Sequence, residues 1–185
     1  SFSWYNGNFS FGVATHEFGH NYGLRHANRW QIPGASANPV DPGGSSLNYG
    51  DVFDMMGSGP NDPATNADHF NPWYLNRLDW LADSSVQTIT TGGTYRLYRY
   101  DHQNANAANS LALKIDRSAT ENYWIGYRRK YVGHATRSDV SNGAYITWGY
   151  DYQTTSNLID IDTPGVTPND ASLNVGNTFD DTEAG

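Results

Sequence analysis

The chain has 185 residues, enough for one or two domains with a sizeable core. Hydrophobic residues make up 37%, aromatics 14% and charged residues only 16%, which excludes a charge-driven disordered chain. Its net charge is −8 with two lysines, no cysteine and no apolar run near the ~18 residues of a membrane span, which excludes a nucleic-acid or anionic-lipid footprint, a transmembrane helix and a disulfide framework.

Without cysteine, a transition metal has to be held by His and carboxylate. The scarcity of lysine beside abundant Asn, Ser, Thr and Gly suits a secreted protein, and Ser1 in place of Met suggests a processed or truncated product.

The first element is a helix from about Phe11 to Tyr22. At ~100° per residue, Phe11, Ala14, Phe18 and Tyr22 fall within about 40° of one direction, with His16 and His20 opposite. The spacing predicts one buried face and two imidazoles presented from the other. Ser10 is the expected N-cap, and Gly23 the expected stop, since glycine takes the left-handed conformation that ends helices.

Residues 16–26 read His-Glu-Phe-Gly-His-Asn-Tyr-Gly-Leu-Arg-His. His16 and His20 stand one turn apart, a rise of ~6 Å, so both can reach one cation. Glu17 is beside them but angled away from ligation, where it can take a proton from water activated by the metal. Gly23 lets the chain turn so that His26 returns as a third ligand. Three neutral nitrogens leave a catalytic zinc its open position. Chance spacing is a poor alternative, because the chain has only three glutamates and one sits here.

A second helix is expected from about Asp68 to Trp80, with Phe70, Tyr74, Leu78 and Leu81 on one side. Beyond Asp83 the texture changes to short alternating runs at Tyr95–Tyr98, Leu111–Ile115, Tyr123–Tyr127 and Ala144–Trp148. Gly92-Gly93, Asn142-Gly143 and Thr163-Pro164-Gly165 separate them, which predicts antiparallel strands and hairpins. The fold class expected is therefore α+β: a zinc-binding part over residues 1–83, then an antiparallel β-rich part over 84–185.

The eleven-residue motif resembles the metzincin zinc-peptidase signature, whose other hallmark is a methionine turn beneath the metal. The only two methionines lie in Asp54-Met55-Met56-Gly57, and Met56 is the better candidate for that turn. The run His26-Ala27-Asn28, then Tyr49-Gly50-Asp51 into Met56-Gly57, is similar to the gametolysin family and its bacterial relatives. So are the stretch from His69-Phe70-Asn71-Pro72 to Leu78-Asp79-Trp80-Leu81, with Asp79 where Gly is usual, and looser matches at Tyr123–Arg128, Asn157–Asp160 and Leu173–Asp180. The resemblance implies a secreted zinc endopeptidase acting on extracellular or cell-wall proteins and glycoproteins. It also implies that the sheet and helix forming the upper cleft wall are missing, since fifteen residues precede His16. An upstream segment of the same precursor is then a partner.

Several residues carry weaker expectations. Tyr49 could hydrogen-bond a tetrahedral intermediate, with a buried structural role favoured. Asp51 or Asp54 could hold a ligand histidine by its free ring nitrogen. Ser58 stands where some metzincins carry a tyrosine near the zinc. Asp160 and Asp162, Asp180, Asp181 and Glu183, and residues 61–68 could bind calcium through oxygen, with solvated loop carboxylates the favoured reading. Structural roles are expected for Arg25, His69, His102 and His134. The rival from another class is a non-catalytic polymer- or glycan-binding module with an inert structural zinc site. Retention of Glu17 argues against it.

Overall fold

A computed structural model describes residues 2–3, 5, 7–59, 69–101, 105–128, 142–164 and 168–184. It is mixed α+β, with two short helices packed on one largely antiparallel sheet.

Helix α1, Phe11–Asn21, starts where expected: the Ser10 hydroxyl accepts from the Val13 N–H at 3.4 Å. It stops at Gly23 (φ 91°), where the Gly23 N–H bonds to the His20 carbonyl and the Leu24 N–H to that of Gly19. This double bond pattern satisfies carbonyls that a helix end otherwise leaves bare. The expected buried face is wrong, however. Phe11, Phe18 and Tyr22 are 50%, 53% and 62% exposed, and the buried residues are Gly12 and Gly19. The helix meets the core through its glycines, because a bare backbone permits closer approach than any side chain.

Strand β1, Ala27–Gln31, follows, paired antiparallel with β2, Ser45–Leu47. Helix α2 is shorter than expected, Pro72–Arg77, and the start expected at Asp68 lies outside the described residues. Its Asn71 cap accepts from the Tyr74 N–H at 2.9 Å, and Pro72 supplies the preset φ of a first turn. Phe70, Tyr74 and Leu81 are buried as anticipated, and Leu78 packs against them. The chain leaves the helix through Asp79 at φ 57°, a left-handed conformation that favours glycine.

The remaining strands are β3 (Val86–Ile89), β4 (Ala112–Asp116), β5 (Glu121–Gly126), β6 (Gly143–Tyr150), β7 (Ser156–Leu158) and β8 (Leu173–Asn174). Their order is β2-β1-β7-β6-β5-β4-β3, with β8 on β6. Pairs β4–β5, β5–β6 and β6–β7 are antiparallel as expected, while β3–β4 and β1–β7 are parallel. Tyr95–Tyr98 forms no strand and belongs to the long crossover between β3 and β4, which parallel pairing requires. Strand β1 comes from the first part of the chain and β7 from the second, so the sheet crosses residue 83.

The sheet is buried on both sides. Trp124 joins the cluster containing Leu24, Met55, Met56, Trp73 and Tyr74, whereas its neighbour Tyr123 joins Val40, Ile146 and Trp148 on the other side. The first cluster anchors the end of α1 and the methionine segment to the sheet. Among the described residues no helix is long and apolar enough to cross a membrane.

Asp181, considered above as a calcium ligand, is instead a tether. Its Oδ2 accepts from Arg117 Nε at 2.7 Å and from the Tyr123 hydroxyl. Burial pushes this carboxyl upward, but the two hydrogen bonds outweigh it and hold it below its ordinary range. Asp181→Asn is expected to cost about 2 kcal/mol at pH 7, the scale of a charge-assisted hydrogen bond. Because the folded value is depressed, this advantage exists above the unfolded aspartate value and is lost as pH falls through the folded one. Urea titrations of both proteins from pH 7 to pH 3 check it: the gap must close on acidification.

Candidate metal centre

The site starts with α1, which presents His16 and His20 on one side with ring centroids 4.7 Å apart at 87°. The turn at Gly23 and the buried Leu24 then bring back His26, whose centroid lies 5.3 Å from His16 and 5.0 Å from His20. One nitrogen of each ring lies within 4.8 Å of the others, so the three could hold a metal ion. The structure thus brings together the three histidines that the spacing selected.

Each ring is oriented from behind. His16 Nδ1 is 2.8 Å from the Met55 carbonyl, His20 Nδ1 2.8 Å from that of Leu24, and His26 Nδ1 2.8 Å from Asn48 Oδ1. Oxygens of this kind only accept, so each Nδ1 carries a hydrogen and Nε2 is the nitrogen left to ligate. That tautomer is the ligating one. Burial, with His20 and His26 alongside, holds His16 below its ordinary value although the Met55 carbonyl pulls the other way. A neutral imidazole is what a metal needs.

Asn48 is the one side-chain support in this set, and sequence reasoning missed it. Loss of such a support typically costs 10–100-fold in metal affinity, so about that loss is expected for Asn48→Ala by competition with a chelator.

Asp51 and Asp54 do not fill this role, which corrects the expectation. Both are fully buried and turn back into the methionine segment. Asp51 accepts from the Phe53 N–H at 2.9 Å and from the Tyr145 hydroxyl; Asp54 accepts from the N–H groups of Met56, at 2.6 Å, and Asn71. Burial pushes both carboxyls up, Asp51 to about 6, and their mutual repulsion adds to the rise at Asp54. These carboxylates shape the turn itself.

Met56 is completely buried and packs against α1: a Cβ on Gly19 would lie 2.2 Å from its Sδ. Gly19 therefore lets the methionine sit directly against the helix that carries His16 and His20. Gly57 is tighter still, since a Cβ there would lie 2.1 Å from the Asp51 carbonyl oxygen and 2.8 Å from that of Ala27. Ser58 donates to the Tyr49 carbonyl at 2.6 Å and so fastens the turn to the preceding loop.

Tyr49 is not buried. It is 40% exposed, and its ring centroid lies 3.7 Å from His26 and 5.6 Å from His16. Its left-handed backbone (φ 59°) is pinned by Asn28 Oδ1, which accepts the Tyr49 N–H at 3.1 Å. Glu17 is half-buried and, with His16, Tyr49, Val13 and Met55, lines a pocket of about 300 Å³. The carboxylate thus shares a cavity wall with one histidine of the triad.

His69, the other described histidine, is not part of the triad. Burial and the Arg128 charge push His69 down to about 4; its ring packs on Tyr100, 5.6 Å away. His102, His134 and residues 61–68 lie outside the described residues. Arg25 is exposed, and its carbonyl accepts from the Tyr74 hydroxyl at 3.1 Å. Compared with family models, curated proteins and solved structures, the chain gives no match.

Proposed function

We propose that this protein is a secreted zinc endopeptidase of metzincin type, with Glu17 as general base and protein or glycoprotein as substrate. The observation that carries this reading is the histidine triad, each ring held through Nδ1 so that Nε2 is left to ligate, with Glu17 on the wall of the adjoining pocket. Three neutral imidazoles without a thiolate suit zinc, and a three-ligand set is typical of its catalytic rather than its structural sites.

When bound, zinc supplies Lewis acidity, polarising a carbonyl oxygen and making a nearby water easier to deprotonate. Glu17 would take the proton from that water and deliver it to the departing amine, a role that suits a half-exposed carboxylate at the pocket wall. The histidine rings are held in place by the Met55, Leu24 and Asn48 oxygens. The pocket has room for a substrate side chain beside the scissile bond, and Tyr49 forms part of its rim.

A glutamate in this position also separates the reading from an inert structural site, which needs no base. Hydrolysis of a fluorogenic protein substrate, compared in the zinc-loaded and chelator-stripped protein, tests the proposal. Hydrolysis that survives complete zinc removal sinks it.

A further inference from the structure

A second cavity, of about 350 Å³, borders the histidine triad. His20 and His26 lie on its wall, whereas the cavity that holds Glu17 takes His16, and the two share no lining residue. The triad therefore opens on both. They differ in charge: Glu17 puts a carboxylate in the first, while no carboxylate lines the second among the described residues. Apart from the two histidines, Arg25 is the one ionisable residue on that second wall.

Arg25 is placed there by its backbone. Its N–H donates to the Thr154 carbonyl at 2.9 Å, and its carbonyl accepts from the Tyr74 hydroxyl at 3.1 Å. The first of these bonds also brings up Thr155, the next residue after Thr154, which lines the same cavity. Asn48 arrives through His26: its Oδ1 accepts from Nδ1 at 2.8 Å, so its amide N–H groups are left to donate elsewhere. Among the described residues, no hydrogen bond or ion pair engages the Arg25 guanidinium, the Asn48 N–H groups or the Thr155 hydroxyl. Donors of this kind around a planar cation match a carboxylate, which accepts at both oxygens.

We propose that Arg25 is a specificity-determining residue, which receives the side-chain carboxylate of an aspartate or glutamate flanking the scissile bond. Asn48 and Thr155 donate to the same group. The assignment rests on the peptidase reading of the triad and gives that reading a substrate class, acidic stretches of polypeptide.

The test uses terminally blocked peptides that differ at one position at a time, carrying Glu, Gln or Lys, so that a side chain supplies the only carboxylate. Zinc-loaded protein is expected to favour Glu over Gln about 5–10-fold in kcat/KM at one position beside the cut. That range lies between the worth of an exposed ion pair and that of a charged hydrogen bond. Arg25→Gln should bring the ratio to about one. Arg25→Glu should turn the preference to Lys, an inversion that a merely structural role would not produce. Both variants keep the backbone bonds that place residue 25. The same ratios, read as peptide affinity in zinc-loaded Glu17→Gln, separate this assignment from the peptidase reading. A Glu preference in affinity without hydrolysis by the parent supports the Arg25 cavity and overturns the peptidase. Equal handling of Glu and Gln peptides by the parent, or a ratio unchanged in Arg25→Gln, overturns the assignment.

Discussion

Glu17→Gln is expected to reduce hydrolysis of a protein substrate by about 10²–10⁴-fold, the usual contribution of a positioned acid–base group. Zinc content should be unchanged, because the three ligand nitrogens are oriented by Met55, Leu24 and Asn48 and not by Glu17. The substitution preserves size and removes only the ability to exchange a proton. Measuring kcat/KM at equal zinc occupancy isolates that ability from metal loss. Equal activity in the two proteins would remove Glu17 from the mechanism, whatever the metal does.

The second large effect concerns the turn beneath the site. Gly57→Ala is expected to destabilise the protein by about 3 kcal/mol, the upper range for overpacking. The usual result of such a change at a compatible position is the opposite, a gain of about 0.4–1 kcal/mol from a stiffer unfolded chain. Here the new methyl would enter backbone carbonyls of Asp51 and Ala27, which cannot swing aside as a side chain can. The Ala27 N–H bonds to the Met56 carbonyl at 2.9 Å and the Ser58 N–H to Asp51 at 2.7 Å, so both must stretch. The Met55 carbonyl behind His16 moves with them. Metal affinity should fall about 10–100-fold in the same variant, as when any ligand support is lost. Denaturant unfolding and chelator competition check the two parts. A stabilised variant with unaltered metal affinity would mean that the turn is not packed as described.

These expectations show how unevenly the site was legible in the sequence. The triad was readable because four residues make one helical turn and Gly23 announces where the chain reverses. Two of its supports were not, since the Met55 and Leu24 carbonyls belong to the backbone and any residue supplies one. The buried face of α1 departs from the periodic one for a related reason. Periodicity weighs large apolar side chains, while the packing surface is set by Gly12 and Gly19, which carry none.

The fold divides in the same way. Runs around Leu113, Trp124 and Ile146 showed their strands, but alternation says nothing about which strands pair. The parallel contacts β1–β7 and β3–β4 depend on crossovers whose course is fixed by burial of Trp73, Tyr74 and Leu111 in one core. The link between Arg117 and Asp181 joins positions too distant for local pattern to reveal.

On the proposed function, the triad and Glu17 make one hydrolytic centre. Its most direct test is to strip the protein with chelator, return zinc in sub-stoichiometric steps, and follow protein-substrate hydrolysis at each step. Activity is expected to rise linearly and to reach its plateau at one zinc per chain. Zinc bound at one equivalent without any hydrolysis, or hydrolysis in the stripped protein, would contradict it.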